Sequence, residues 1–291
     1  MVLAWSLVLQ LLQLHADAPH ELWDYKNTSI WKSYFPLCDG PLQSPINIIP
    51  GSGKPRVEKL QVDWAPGIGN SEIEGINNGR TIKIFIRPEN VSRPLMTLRS
   101  HSRPLFGVYH FAELDLHWGE GQGDEGSEHS FNGKFYDAEA QLVFYNAKYG
   151  TYNEAKKYPG GLAIVAVPLT GNNNPRGLPF FPLFSIDLIL EDLAMPGATI
   201  NLNADITPWK AMMKTALSKF YMYYGSMTKP PCNPVVLWIV SATEFEMEWE
   251  FLLQLYAEIF SNEALTDKMI RNKRPIQPSA GRQVTTYISG V

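Results

Sequence analysis

The sequence predicts a single, mainly antiparallel β-sheet domain with few helices. Three observations carry that expectation. Short segments alternate apolar and polar residues, at 81–86, 114–118 and 139–143, with the period of a half-buried strand. Two continuous apolar runs, 162–167 and 235–240, read as strands buried on both faces. Helical spacing is confined to three stretches near 184–193, 209–220 and 251–259, and no repeat or linker-like composition divides the 291 residues. That length suffices for one full core. The 45% apolar and 19% charged content is that of an ordinary globular protein. A net charge of -4, with no basic patch and no like-charge run, argues against nucleic acid as a partner and against a disordered tail.

In chain order, residues 2–14 are apolar and lead into Ala16-Asp17-Ala18, which reads as a secretory leader with a small-x-small cleavage site, although no Lys or Arg stands near Met1. Residues 1–18 are therefore expected to be a signal peptide and 19–291 the mature domain. No second long apolar run predicts a membrane span, and residues 281–291 lack an anchor-signal tail. Trp23, Tyr25, Trp31 and Tyr34 are spaced too irregularly for a helix face and predict an aromatic cluster under an extended segment. Asn27-Thr28-Ser29 and Asn90-Val91-Ser92 are glycosylation acceptors, so Asn27 and Asn90 are expected to carry glycans. Cys38 and Cys232 are either buried thiols or a disulfide; an oxidising compartment favours the disulfide.

Asn77-Asn78-Gly79 is a turn signal before the strand at 81–86. Residues 121–126 match G-x-G-x-x-G literally, but the loop leads into strand rather than helix and carries two acids, which argues against a phosphate site. Residues 146–161 and 168–182 are rich in Gly, Pro and Asn and read as loops. A last helix, with Phe251, Leu252, Leu255, Tyr256 and Ile259 on one face, is expected to stop near Asn262.

The chemistry gathers at residues 109–146. Asp115 and His117 are two apart on one strand and share a face, with Glu113 beside them. Pairing with the strand at 139–143 would bring Gln141 to the same place. Glu128 and His129 follow the acidic loop between the two strands.

This stretch resembles the core of the α-type carbonic anhydrases, whose pattern is His-x-His-Trp-Gly, then Gly-Ser-Glu-His, then Ala-Glu-x-His-Leu-Val. Further segments are similar to the family: Gln43-Ser44-Pro45-Ile46-Asn47-Ile48, the loop 225–231, and Asn272-Lys273-Arg274-Pro275-Ile276-Gln277-Pro278. The resemblance runs from Trp23 to about Val284. It implies a large twisted sheet of about ten strands and a disulfide between Cys38 and Cys232. It also implies a zinc ion on three histidines, which lowers the pKa of bound water to about 7. Here Asp115, His117 and Gln141 stand at the three ligand positions, so two of the three histidines are replaced.

Other positions carry over. Thr228, held by Glu128, matches the pair that orients the zinc-bound hydroxide. Val143, Ile164, Met227, Val236 and Trp238 match the apolar pocket for carbon dioxide. Arg80 stands where active relatives often have a proton-shuttling histidine; a guanidinium stays protonated and cannot do that work. Its other reading is a solvated strand residue. Lys229 replaces a second threonine; it either pairs with Asp115 or reaches solvent along its stem.

The resulting expectation is a secreted carbonic anhydrase-like protein without hydratase activity or a cofactor. It resembles the acatalytic carbonic anhydrase-related proteins, and its partner would be an extracellular protein or matrix component. A weak zinc enzyme using Asp115, His117 and Gln141 is the alternative, and an extracellular matrix or storage protein a third.

Overall fold

A computed structural model describes residues 23–51, 53–88, 93–100, 104–121, 124–172, 181–182 and 186–290. Fifteen strands are formed among them. They are β1 (Asn47–Ile48), β2 (Arg56–Glu58), β3 (Gln61–Trp64), β4 (Ser71–Asn77), β5 (Ile82–Pro88), β6 (Met96–Ser100), β7 (Gly107–Trp118) and β8 (Ser130–Phe131). The remainder are β9 (Ala138–Asn146), β10 (Leu162–Asn172), β11 (Thr199–Ala204), β12 (Lys219–Gly225), β13 (Val236–Ser241), β14 (Phe245–Glu248) and β15 (Thr285–Ser289).

Thirteen of them form one sheet. Ten lie on a continuous path, β11-β4-β5-β7-β9-β10-β13-β12-β15-β2, and β3, β6 and β14 pair off it; β1 and β8 make a small parallel pair. The ten-stranded expectation therefore describes the main path and omits the flanking strands. The central neighbours β5, β7, β9 and β10 are antiparallel, while β10 and β13 run parallel.

The continuous apolar run of β10 is explained by its position. Its first eight residues are buried on both faces, as a strand with neighbours on each edge and packing above and below must be. One side carries the large core with Leu114, Leu142, Val165, Ile239 and Phe251. The other carries a smaller cluster with Val143, Ile164, Met227, Val236 and Trp238. Alternate residues of the same strands supply the two. The carbon dioxide-pocket residues of the sequence reading thus lie together.

The structure corrects several boundaries. Residues 168–172 are strand, not loop: Pro168 lies opposite Glu139, and residues 169–172 pair with β14. Their Pro and Gly signal is overridden by neighbours on both sides of the chain. The helix expected at 209–220 spans Pro208–Ala216, and Lys219 and Phe220 already belong to β12, where they pair with β15. The last helix, Trp249–Glu258, ends before Asn262. The helix expected near 184–193 is a 3-10 helix, Ile186–Leu193. Trp23, Tyr25 and Trp31 form edge-to-face contacts, but Tyr34 is 57% exposed and lies on a short helix, Trp31–Tyr34, that turns it outward.

Cys38 and Cys232 are joined in a disulfide across 194 residues of chain. Asn27 is exposed. Asn90, His101, His20 near the expected mature terminus, and the leader with His15 lie outside the described residues. No helix among the described residues is long and apolar enough to cross a membrane.

Candidate functional site

The β7–β9 pairing builds the site. Asp115 lies directly opposite Gln141, and His117 opposite Glu139. A register irregularity between Phe111 and Glu113 precedes them, and extra twist at such a point re-aims the side chains that follow. Asp115, His117 and Gln141 come together as the alternation implied, each about 1–2% exposed.

Asp115 Oδ2 accepts a 2.6 Å hydrogen bond from the Lys229 ammonium. Lys229 is only 9% exposed, on the turn after β12, so the inward reading of this residue holds and the solvent reading does not. Lys229 Nζ also lies 3.8 Å from Glu113 Oε1. Glu113 in turn takes two 3.3 Å bonds from Lys83 Nζ and one of 3.0 Å from the Tyr152 hydroxyl. Lys83, Glu113, Lys229 and Asp115 thus alternate in sign along the cleft floor. Burial pushes the Asp115 carboxyl up, but the Lys229 and Lys83 ammonium groups outweigh it and hold the carboxyl below its ordinary value of 3.8.

Lys83 is the cation that the sequence reading missed. As an alternate residue of an apolar strand it looks like a solvent-facing lysine, yet it is 3% exposed and lies opposite Asp115 in the β5–β7 ladder. Arg80 does not take that role. Its guanidinium carbon stacks 4.1 Å from the centre of the Trp23 ring, and its Nε donates to the Trp23 carbonyl. The aromatic face holds the charge there. At 6% exposure it is not a solvated strand residue either.

His117 is fixed through its Nδ1, 2.7 Å from the Asn272 carbonyl oxygen. A carbonyl only accepts, so Nδ1 carries the proton and Nε2 presents a lone pair. That Nε2 is buried without a hydrogen-bond partner, and so is Asp115 Oδ1.

Gln141 turns its amide nitrogen to two carboxylates. It donates to Glu128 Oε2 at 2.7 Å and Glu139 Oε1 at 2.9 Å. Glu128 is placed by a tight loop in which Gly126 N and Ser127 N both donate to the Tyr136 carbonyl. A Cβ on Gly126 would meet the Asp137 carbonyl oxygen at 1.6 Å, so only glycine fits. The second oxygen of Glu128 accepts from Arg274 N at 3.0 Å. No Thr228–Glu128 hydrogen bond forms among the described residues; Gln141 and the Arg274 backbone have taken the carboxylate instead. Thr228 is nonetheless buried beside Met227 and Lys229.

Beside these residues, and joined to them through Gln141, lies a second polar group. His129 Nδ1 is 3.0 Å from Glu139 Oε1, its Nε2 is 2.7 Å from the Tyr223 hydroxyl, and its backbone N–H donates to Glu139 Oε2. Burial raises the Glu139 carboxyl, but His129 and its hydrogen bonds outweigh that and hold it low. Both ring nitrogens of His129 are thus taken up inside the protein.

These residues do not fit a zinc ion. Lys229 occupies one carboxylate oxygen of Asp115 and brings a positive charge to the ligand positions. Gln141 could offer only an amide oxygen, a poor ligand for zinc beside imidazole or thiolate. His117 keeps one ring nitrogen and Asp115 one carboxylate oxygen without a hydrogen-bond partner, but no third donor of the right kind joins them. Among the described residues, no group of three or more His, Cys, Asp and Glu side chains is placed to hold a metal ion.

Beside Glu113 the cleft opens into a cavity of about 430 Å³. Phe85, Leu95, Phe111, Tyr145 and Tyr152 line its apolar walls, and Arg87 and Arg93 are also in its lining.

Comparison with known proteins agrees with this architecture. The family model described as eukaryotic-type carbonic anhydrase matches residues 26–288. Carbonic anhydrase 7 of Mus musculus is 30% identical over 276 residues, covering 91% of this chain and 97% of its own. Carbonic anhydrase 12 of Homo sapiens is 30% identical over 269 residues, covering 90% of this chain and 71% of its own. Carbonic anhydrase 3 of Equus caballus is 28% identical over 265 residues, covering 90% and 95%. With a twisted, mostly antiparallel sheet, a buried His117 on β7 and a family match over nearly its whole length, the chain belongs to the eukaryotic-type carbonic anhydrase family.

Proposed function

We propose that this protein is a secreted member of the family that does not hydrate carbon dioxide and acts by binding an extracellular partner, a protein or a matrix component. The observation that carries this reading is the 2.6 Å contact between Lys229 Nζ and Asp115. Hydratase chemistry depends on a metal that makes hydroxide available at neutral pH. An ammonium cannot do this, because it has no open coordination position for water. Replacement of a histidine by Gln141 removes a second ligand. The Cys38–Cys232 disulfide and exposed Asn27 support an extracellular setting. The mature domain would then be residues 19–291, with glycans on Asn27 and Asn90 and no cofactor. The apolar cavity beside Glu113 supports a binding role, since such concave, aromatic-lined spaces are where small or extended ligands bury surface.

Metal content and carbon dioxide hydration of the secreted protein, purified without chelator, test the reading together. The expected result is no stoichiometric metal and a hydration rate equal to that of buffer. One zinc per chain with hydration above buffer would overturn it. The alternative, a weak metalloenzyme, draws on the unpartnered His117 Nε2 and Asp115 Oδ1.

A further inference from the structure

We propose that the Lys229 side chain is a tethered cation that stands in for the metal ion of this fold and closes Asp115 and His117 to divalent transition metals. The inference rests on the reading that the native chain holds no zinc, and adds to it a cause that a single residue supplies.

The argument begins with charge. Four carboxylates, Glu113, Asp115, Glu128 and Glu139, lie on or between β7 and β9, each no more than 2% exposed. Buried anions require cationic or hydrogen-bonding partners. Glu139 is met by His129 and Gln141, and Glu128 by Gln141 and the Arg274 backbone. Glu113 is met by Lys83 and Tyr152. Asp115 depends on Lys229 as its direct partner, with Lys83 acting on it at longer range. A cation is therefore needed where Asp115 sits, and the Lys229 side chain provides one.

The second observation is what the lysine leaves unmade. Asp115 Oδ1 and His117 Nε2 are both buried acceptors without hydrogen-bond partners, on one face of β7. One is a carboxylate oxygen and the other an imidazole nitrogen in the tautomer suited to coordination. Both are good zinc or cobalt ligands. A lysine adopted merely to satisfy hydrogen bonds would have left neither orphaned. It supplies the charge of a metal ion without its coordination geometry. The same ammonium repels any incoming divalent ion, so two competent ligands stay idle.

Replacing Lys229 should therefore open the site. The test is titration of the full-length secreted protein, wild type and Lys229→Thr, with Co²⁺, read by calorimetry and by the visible absorption of the bound ion. Lys229→Thr is expected to bind one Co²⁺ per chain at least about tenfold more tightly than wild type, and Lys229→Thr/His117→Ala to lose that gain. Near-UV circular dichroism reports whether the fold is kept. Should Lys229→Thr lose its tertiary signal, Lys229→Met, which keeps the stem and drops the charge, is judged by the same comparison. Equal affinities in wild type and the lysine variant would overturn the proposal, as would a gain that survives His117→Ala. The proposal fails alone if the native chain is metal-free and silent and the variant still refuses cobalt. A native chain that carries zinc and hydrates carbon dioxide overturns the reading beneath it as well.

Discussion

Two buried polar groups share one face of β7 and β9 and meet at Gln141, a front group around Asp115 and His117 and a rear group around Glu139 and His129, and they differ in how completely they are satisfied. In the rear group, His129 uses both ring nitrogens and its backbone N–H, and Glu139 receives His129 and Gln141. In the front group, Asp115 and His117 each leave one buried atom without a partner. Natural interiors satisfy nearly all such atoms, because each orphan forfeits a hydrogen bond worth about 1–3 kcal/mol. The contrast separates a polar group kept for architecture from one whose partner has changed. The front group retains ligand atoms that a lysine satisfies in charge but not in geometry.

The sharpest way to break that contrast is to remove one member from each group. Glu139→Ala strands His129 and Gln141 together and is expected to cost about 3–5 kcal/mol, the penalty for breaking a buried charged network, measured by denaturant unfolding. Should His117→Ala, which loses the bond to Asn272 and the edge contact with Tyr25, destabilise as much, the two groups would not differ in the way described.

Asp115→Ala leaves Lys229 facing Glu113 at 3.8 Å, an ion pair already shared with Lys83. Its expected cost is about 3 kcal/mol, and Asp115→Leu/Lys229→Met should recover most of it, because an apolar pair avoids the desolvation of two charges. A double variant no more stable than either single one would show that the quartet, not the pair, is the unit.

Removal of the disulfide with Cys38→Ala/Cys232→Ala acts on neither group. It should cost about 2–5 kcal/mol by releasing a long loop in the unfolded chain, and should leave cobalt affinity unchanged. A change in metal affinity would couple the N-terminal aromatic cluster to the site.

The smallest effect is in acid. Lys229 holds the Asp115 carboxyl below 3.8 in the folded protein, so the folded state favours the ionised form. Its contribution to stability is fully present above that ordinary value and is lost as pH falls through the depressed one. Asp115→Asn is expected to flatten the acid limb of the stability profile below about pH 4, read by unfolding at stepped pH. An unchanged limb would place the acid sensitivity in the rear group, where Glu139 is also held low.

Much of this was legible in the sequence because it depends on local period. Alternation put Asp115 and His117 on one face, and a second alternating segment supplied the strand that carries Gln141. The two apolar runs marked β10 and β13. What failed was local signal overridden by distant neighbours. Residues 168–172 carry Pro and Gly yet pair on both sides, and Lys219 and Phe220 follow a helix yet join β12.

The sequence by itself determined the strand pattern, the family and the loss of two histidines, all of which are properties of residue type and spacing. Only the tertiary structure decided which cation replaced them. Lys83 reaches Glu113 across 30 residues, Lys229 reaches Asp115 across 114, and Asn272 fixes the His117 tautomer across 155. Arg80 is held by Trp23 instead. A buried charge is settled by what surrounds it in space, since desolvation and pairing act over a few ångströms regardless of chain distance.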